Sequence, residues 1–137
     1  MKPYIHKVHY YETDQMKITH HSNYIRWMEE ARIDYLEQIG FGYDRIEAEG
    51  IISPIISVHC DYKKSTTFND VVQININIKE YKGTRLTLAY TMINMSTDDI
   101  VATGETTLCF LNKAGRPVIL RKENPELDTL LKQQGQD

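Results

Sequence analysis

Residues 11–24, YETDQMKITHHSNY, gather the side chains of this chain whose types and spacing could do chemistry. Asp14 is followed by the adjacent pair His20 and His21, and a helical pattern begins directly after them. A carboxylate can act as a general base or as a nucleophile, and an imidazole can bind substrate, orient the carboxylate or hold a water. The spacing also allows a plainer interpretation, in which Asp14 only forms a turn and His21 only precedes the helix.

The start of a helix could supply the second half of a catalytic site. Its first N–H groups have no intrahelical partner and carry a partial positive charge, so they stabilise a developing negative charge. A loop that folds Asp14 back over this end would bring a carboxylate to a group that polarises a carbonyl. These two parts are the minimum apparatus for hydrolysing an activated acyl bond.

The clustered histidines raise the alternative of a metal site. Zinc requires three or four converging ligands. His6 and His9 are three apart in a predicted strand, so we expect them to point to opposite faces, and the neighbours His20 and His21 diverge as well. The sequence has neither an HExxH nor a CxxC motif. We therefore expect no metal.

One long helix must position these residues. We predict a strand over residues 4–10 and then a helix from Asn23 to Ile39. Ser22 is predicted as the N-cap of this helix, and Gly40 as the C′ glycine that ends it. A short second helix over residues 43–49 follows.

The long helix has a single apolar stripe. Tyr24, Ile25, Met28 and the apolar residues after them keep i, i+3 and i, i+4 spacing, interrupted only by Arg32. A helix with one apolar stripe needs a sheet to cover it. The stripe therefore predicts that the rest of the chain forms that sheet.

The remainder of the chain predicts strands joined by tight turns, over residues 51–63, 70–81, 84–95 and 100–111. Residues 70–81 alternate strictly between apolar and polar, so one face is buried and the other is wet. Lys82-Gly83 is predicted as a two-residue hairpin turn. The small residues Ala102, Gly104 and Thr106 share one strand face, where a helix could approach closely. Residues 124–132 predict a final short helix with proline at its first position.

The stretch YETDQMKITHHSNYIRWMEEAR resembles the signature of the hotdog-fold acyl-CoA thioesterases, in the branch of 4-hydroxybenzoyl-CoA thioesterase. The matching positions are Thr13-Asp14, His21, Asn23-Tyr24, Trp27 and the EEAR of residues 29–32. The later stretches DYKKSTTFNDVVQI and VATGETTLCFLNKAGRPV resemble the strands and the last hairpin of the same family. The resemblance therefore covers nearly the whole chain.

This resemblance implies a fold and an activity. The fold would be α+β, a single hotdog domain over residues 1–137, with one long helix wrapped by a curved antiparallel sheet of about five strands. The substrate would be an acyl-CoA thioester, hydrolysed without a metal or other cofactor. The chain would pair as a homodimer with active sites at the dimer interface, and the family often assembles further to a homotetramer, so the resemblance leaves dimer and tetramer open.

The resemblance also assigns roles to residues. Asp14 would be the catalytic carboxylate, either base or nucleophile, and His21 would face the acyl group. Asn23 and Tyr24 belong to the matching motif and would bind substrate. Lys82 and Arg85 flank a turn that is similar to the family's contact with the nucleotide end of CoA.

Two positions depart from the family pattern. Lys17 stands where many relatives have a glycine, and it must take strain if that position needs a positive φ. Ser65 stands where relatives often have proline. Both departures can shift loop geometry and substrate choice without touching the catalytic carboxylate.

Composition limits the partners. A net charge of −3 offers no general attraction to nucleic acid or to an anionic membrane, and no apolar run approaches the length of a membrane span. Cys60 and Cys109 are isolated, and the first residues lack the apolar core of a secretory signal, so we expect a cytoplasmic protein. Hydrolysis of acyl groups on acyl carrier protein, and non-catalytic binding of acyl-CoA on the same fold, remain the alternatives. The acyl group itself stays open.

Overall fold

A five-stranded antiparallel sheet packs against one long helix in the computed structural model, which describes residues 1–135. The elements in chain order are β1 (Tyr4–Lys7), α1 (Ser22–Gln38), α2 (Tyr43–Ala48), β2 (Ile55–Tyr62), β3 (Val71–Tyr81), β4 (Arg85–Asn94), β5 (Ile100–Cys109), α3 (Leu120–Glu123) and α4 (Pro125–Gly135). The strand order is β1-β3-β4-β5-β2, so β1 and β2 are the edges. The predicted α+β class is confirmed.

Helix α1 ends as predicted but does not begin as predicted. Gly40 has φ +87° and its N–H bonds to the Glu37 carbonyl, while Phe41 N–H reaches the Leu36 carbonyl, as in a Schellman motif. Ser22 is not the N-cap. It is already the first helical residue, and its hydroxyl contacts the ring of His20 at 2.9 Å.

The buried face of α1 is rotated relative to the predicted stripe. Ile25 is exposed, whereas Asn23 and Trp27 are buried because both reach polar partners beneath the helix. Arg32 does not interrupt the stripe, since it is itself buried and its Nε donates to the Tyr43 hydroxyl at 2.9 Å.

Helix α1 crosses the sheet at Gly104 of β5, as the small residues of that strand predict. A Cβ added at Gly104 would lie 2.6 Å from Met28 Sδ and 3.0 Å from the His59 carbonyl oxygen. Ala102 and Thr106 face the same side and are buried. The missing side chain at residue 104 therefore sets how close α1 lies to the sheet.

The hairpin between β3 and β4 is shifted by one residue from the prediction. Lys82 N–H bonds to the Arg85 carbonyl, so the two central residues are Gly83 and Thr84, not Lys82 and Gly83. Gly83 has φ +80°, which suits a first central position of type II′. Lys82 and Arg85 consequently face each other across the turn.

Strand β2 is shorter than predicted and is an open edge. It begins at Ile55, because Pro54 precedes it. Residues 51–54 are joined to the neighbouring segment of the chain by the bridge of Ile52 to Leu111 and by the bond from Cys109 N–H to the Pro54 carbonyl. One side of β2 pairs with β5, and its side chains Ile56, Val58 and Tyr62 are exposed.

The end of the chain covers the sheet beside α1. Asn124 Oδ1 accepts the Leu127 N–H, and Pro125 is the first residue of α4, as predicted. Helix α3 was not predicted. Within residues 1–135, none of the helices combines the length and apolar character that crossing a bilayer requires.

Candidate active site

The Asp14 loop, residues 13–19, is a tight hairpin-like loop between β1 and α1. Thr13 and Thr19 form a bridge at its base, and Asp14 N–H donates to the Ile18 carbonyl at 2.9 Å. Lys17 has φ +66°, so this non-glycine residue takes the left-handed conformation and the strain that the sequence raised for it.

The Asp14 carboxylate holds its own loop. Its Oδ1 accepts the Met16 N–H at 2.8 Å, and the side chain is partly exposed. This bond is the turn-forming role that the sequence allowed for Asp14. It engages only one of the two carboxylate oxygens, so it does not exclude a second role.

The loop is fastened to residues 65–67, the segment after β2. Thr19 N–H donates to the Thr66 carbonyl at 2.8 Å, and the two threonine hydroxyls lie 2.7 Å apart. Thr67 Oγ1 donates to the Lys17 carbonyl at 2.7 Å. The Tyr24 hydroxyl reaches Thr66 Oγ1 at 2.9 Å, which ties helix α1 to the same segment.

The first N–H groups of α1 already have partners. Asn23 N–H donates to the His20 carbonyl and Tyr24 N–H to the His21 carbonyl. Ser22 N–H differs, because it donates to a side chain, Nδ1 of His20, at 3.2 Å. A ring can turn away more easily than a backbone carbonyl can, so Ser22 N–H is the donor that a substrate oxygen could take over.

A small cavity opens beside this helix start. Its volume is about 220 Å³, and it is lined by Ile18, Thr19, His21, Tyr24, Tyr62, Lys63, Lys64 and Ser65. His21 is exposed, its ring stacks on His20, and its carbonyl accepts the Tyr62 hydroxyl at 3.1 Å. Partial burial and the nearby Cys60 raise the pKa of Tyr62 to about 12, so this hydroxyl is a neutral donor at physiological pH.

Asn23 and Tyr24, both predicted to bind substrate, are buried beneath the helix. Asn23 Nδ2 donates to the carbonyl of Glu12 at 3.0 Å and to that of His20 at 3.3 Å. Burial raises the pKa of the Tyr24 hydroxyl, although Thr66 opposes the shift. Tyr24 lines the cavity, whereas the contacts of Asn23 brace the start of α1.

His6, His9 and Glu12 lie together, with ligand-capable atoms within 4.8 Å of one another. The expectation that the two histidines point apart is wrong, because β1 ends at Lys7 and His9 lies beyond it. The Glu12 oxygens, however, are held by N–H donors: His6 Nε2 and His9 N–H at Oε1, and Trp27 Nε1 at Oε2. Donors that already point at the carboxylate leave poor access for a cation, so we interpret the cluster as a hydrogen-bond network.

Lys82 and Arg85 lie at the opposite end of the sheet from the Asp14 loop. The loop lies beside the first residues of β3, where Val8 N–H bonds to the Asp70 carbonyl, and Lys82 follows the last residue. A strand of 11 residues spans about 35 Å, which is too far for both ends to share one site within a chain.

Sequence reasoning missed three residues of this region. Tyr62 packs edge-on against Tyr24 and His21, and Thr66 joins the loop to α1. Glu12 lies beneath the loop and α1, where its carboxylate accepts the Trp27 Nε1–H. Tyr62 and Thr66 flank Lys63, Lys64 and Ser65. The departure from the family pattern at Ser65 marks this segment in the sequence, but it does not reveal what the segment does. Glu12 offered one signal, an acidic residue between a strand and a catalytic candidate.

Solved structures with the same fold include thioesterases. A DHNA-CoA thioesterase from Staphylococcus aureus superposes with a TM-score of 0.91 at 29% sequence identity, covering 96% of this chain and 89% of the other. The predicted hotdog fold and the predicted enzyme class, a thioester hydrolase, are thereby confirmed.

Residues 8–134 match the sequence profile of the thioesterase-like superfamily, and the chain belongs to that family. A protein of Aquifex aeolicus, named as an esterase, is 36% identical over 88% of this chain and 91% of its own length. A protein of Bacillus subtilis, named as acyl-CoA thioesterase YneP, is 29% identical over 90% of this chain and 89% of its own.

Proposed function

We propose that this chain hydrolyses an acyl-CoA thioester to the free acid and CoA, with Asp14 as general base or nucleophile. The observation that carries the proposal is the Asp14 loop, clamped beside the start of α1 and next to the cavity that His21 and Tyr24 line. With Asp14 as base, the water oxygen ends on the acyl carbon. With Asp14 as nucleophile, an Asp14 oxygen forms an anhydride with the acyl group, and water attack at the Asp14 carbon leaves the water oxygen on Asp14. In both routes the C–S bond breaks, and the thiolate of CoA leaves and takes up the proton that the attacking water loses.

The start of α1 polarises the thioester carbonyl in this proposal. The carbonyl oxygen takes the place of the His20 ring at Ser22 N–H, where the helix dipole favours the negative charge that develops during attack. Oδ2 of Asp14 acts as the base or as the nucleophile, because Oδ1 accepts the Met16 N–H. His21 faces the acyl group, and the Tyr62 hydroxyl holds the His21 backbone in place.

A second copy of the chain completes the site. A cavity of about 220 Å³ falls below the 300–1,000 Å³ that small-molecule sites usually enclose. It lies at the end of β2, an open edge strand with exposed apolar side chains, and such an edge is normally covered. If β2 pairs with itself about a two-fold axis, the strands run antiparallel, and the partner's residues 52–55 lie opposite Tyr62.

The same pairing explains how Lys82 and Arg85 could contact the nucleotide end of CoA. Arg85 pairs with Cys109 of β5, and neighbouring Leu108 pairs with Ile55, so the turn lies at the first end of β2. Across an antiparallel β2 pair, that end of the partner lies near Tyr62. The partner's turn is then three strand spacings away, about 14 Å, which an extended CoA spans.

A thiol-release assay on wild type and Asp14→Asn tests the proposal, with short, long and aromatic acyl-CoA substrates. An asparagine oxygen can still accept the Met16 N–H, so the loop should persist while the charge is lost. We expect kcat to fall about 10²–10⁴-fold, the usual value of acid–base catalysis. The preferred substrate names the acyl group, and single-turnover hydrolysis in ¹⁸O-water separates base from nucleophile by whether label enters Asp14.

Two outcomes count against the proposal. If wild type releases no thiol from any CoA ester, hydrolysis of carrier-protein esters or non-catalytic binding replaces it, and acyl-carrier substrates and a CoA-binding measurement distinguish these two. If Asp14→Asn keeps its activity, Asp14 only forms the turn.

A further inference from the structure

Glu12 connects the Asp14 loop to the body of the protein through its side chain. The carboxylate is 5% exposed and receives three N–H donors from three segments: His6 of β1, the backbone of His9, and Trp27 of α1. The donor–acceptor distances are 2.7 to 2.8 Å, in the range of charge-assisted hydrogen bonds.

The backbone of Glu12 makes the same connection a second time. Its carbonyl oxygen accepts the His20 N–H at 2.8 Å and Asn23 Nδ2 at 3.0 Å. His20 is the residue at which the loop returns to α1. One residue therefore holds both the departing and the returning ends of the loop, and it ties both to the first two turns of the helix.

Asp14 lies two residues beyond this anchor, and between them Thr13 donates its N–H and its hydroxyl to the Tyr10 carbonyl. The loop closes through the Thr13–Thr19 bridge and the Asp14 N–H bond to Ile18, both of which lie within the loop itself. Outside it, the Thr66–Thr67 segment holds the returning side at Lys17 and Thr19. On the departing side, the contacts of Glu12 fix the height of the loop relative to the helix start.

We propose that Glu12 is a positioning residue that fixes Asp14 relative to the start of α1 without touching the substrate. The proposal rests on the proposed function, in which Asp14 performs the chemistry and the helix start polarises the carbonyl. A displacement of about 1 Å of a catalytic group can cost about 10²-fold in rate.

The negative charge of Glu12 is required, and its shape alone is not enough. An ionised carboxylate only accepts hydrogen bonds, and two of its neighbours, His9 N–H and Trp27 Nε1, can only donate. The third, His6 Nε2, donates to the ionised carboxylate in the tautomer that carries its proton. Burial disfavours its ionisation, but the bonds from His9 N–H, Trp27 and His6 outweigh it and hold the pKa of Glu12 below its usual range. A glutamine has the same shape, but its NH₂ group would meet the N–H of Trp27, or those of His6 and His9.

Glu12→Gln tests this inference against a matched control, Asp128→Asn. Asp128 is also a carboxylate with 5% exposure, bonded to Tyr81 and Lys132, but it lies on α4, away from the loop. We expect kcat of Glu12→Gln to fall about 10- to 100-fold with KM changed less than about threefold, because substrate contacts remain while the geometry shifts. Asp128→Asn should lose stability while kcat stays within about twofold of wild type.

Hydrogen exchange supplies a readout that does not depend on activity. In Glu12→Gln we expect faster exchange of the amides in residues 12–20, and in Asp128→Asn no change there. If wild type shows no thioesterase activity, the proposed function fails, and this exchange comparison still decides whether Glu12 holds the loop.

Trp27→Phe keeps the inference testable if Glu12→Gln does not fold, because among the bonds to the Glu12 carboxylate it removes only the one to Oε2. The smaller ring also loosens the core, so its free energy of unfolding is measured beside kcat. We expect a smaller fall in kcat and faster amide exchange in residues 12–20, and unchanged kcat and exchange in Trp27→Phe would count against the proposal. Where Glu12→Gln folds, the double variant should be no slower than Glu12→Gln alone, as the two residues act through one contact. Unchanged kcat and unchanged exchange in Glu12→Gln, or equal losses of kcat in Asp128→Asn, overturn the proposal.

Discussion

At the scale of single residues, the Asp14 loop stores backbone strain next to the proposed catalytic carboxylate. Lys17 is held at φ +66°, a conformation that costs a non-glycine residue roughly 1–2 kcal/mol. Two bonds hold it there: its N–H donates to the Asp14 carbonyl, and its carbonyl accepts from Thr67 Oγ1. The strain is thus placed where it bears directly on the position of Asp14.

Lys17→Gly should therefore be more stable than Lys17→Val. Glycine relieves the strain, but it loses more conformational entropy on folding, which costs about 0.5–1 kcal/mol of stability. We therefore expect Lys17→Gly to leave the free energy of unfolding unchanged or to raise it by up to about 1 kcal/mol. A β-branched valine at positive φ should destabilise by more than about 1 kcal/mol. Denaturant unfolding measures both, and equal stability of the two variants would contradict the assigned conformation.

At the scale of elements, the distance between α1 and the sheet is set where β5 lacks a side chain. Met28 fills the space above Gly104, and the His59 backbone of β2 bounds it from the side. Because α1 begins at the proposed site, its height above β5 also places Tyr24 and the Ser22 N–H. A change in packing at residue 104 would therefore move α1 and, with it, the groups at the proposed site.

Gly104→Ala should destabilise the fold by about 1–3 kcal/mol, the usual cost of overpacking a core. The new methyl would lie 2.6 Å from Met28 Sδ, so the methionine must move, while the His59 carbonyl at 3.0 Å has little freedom to move. Thermal or denaturant unfolding measures the loss. Combining Gly104→Ala with Met28→Ala should cost less than the sum of the single changes, and strict additivity would show that the two residues do not share this contact.

At the scale of the whole molecule, the open edge of β2 decides whether the site is complete. The single chain exposes Ile56, Val58 and Tyr62 along an edge that has unpaired backbone groups. It also separates Lys82 and Arg85 from Asp14 by about 35 Å, the length of β3. Pairing of two β2 edges would cover the exposed side chains of β2. It would also bring the turn of one copy closer to Asp14 of the other.

Val58→Asp should separate the proposed dimer. Val58 lies near the middle of β2, so two copies of the new carboxylate would come close across the two-fold axis, and like charges at an interface cost several kcal/mol. We expect association to weaken, with Kd rising by a factor on the order of 10² or more and turnover falling together with the dimer. Light scattering and thiol release measure the two, and Thr129→Asp, at an exposed position of α4, controls for the added charge. A wild-type monomer with full activity would refute the shared site.

Features that depend on a few neighbouring residues were determined by the sequence itself. Gly40 ends α1, Asn124 begins α4 and β3 alternates as predicted, because turn chemistry and side-chain periodicity act within one or two turns of chain. The resemblance extended this to the hotdog fold and to the thioester hydrolase class. The start of α1 was misplaced by one residue, because Ser22 found a side-chain partner in His20 and not a backbone N–H of the helix.

Only the tertiary structure decided which distant residues meet. His9 lies beside His6 because β1 is short, and Glu12 joins these two histidines to Trp27. Tyr62 reaches the His21 carbonyl because of where β2 ends. Such contacts depend on strand register and on how a loop packs against a helix, and these are settled by the burial of the whole core. Local pattern therefore determined the elements and the candidate carboxylate, whereas packing decided what holds that carboxylate in place.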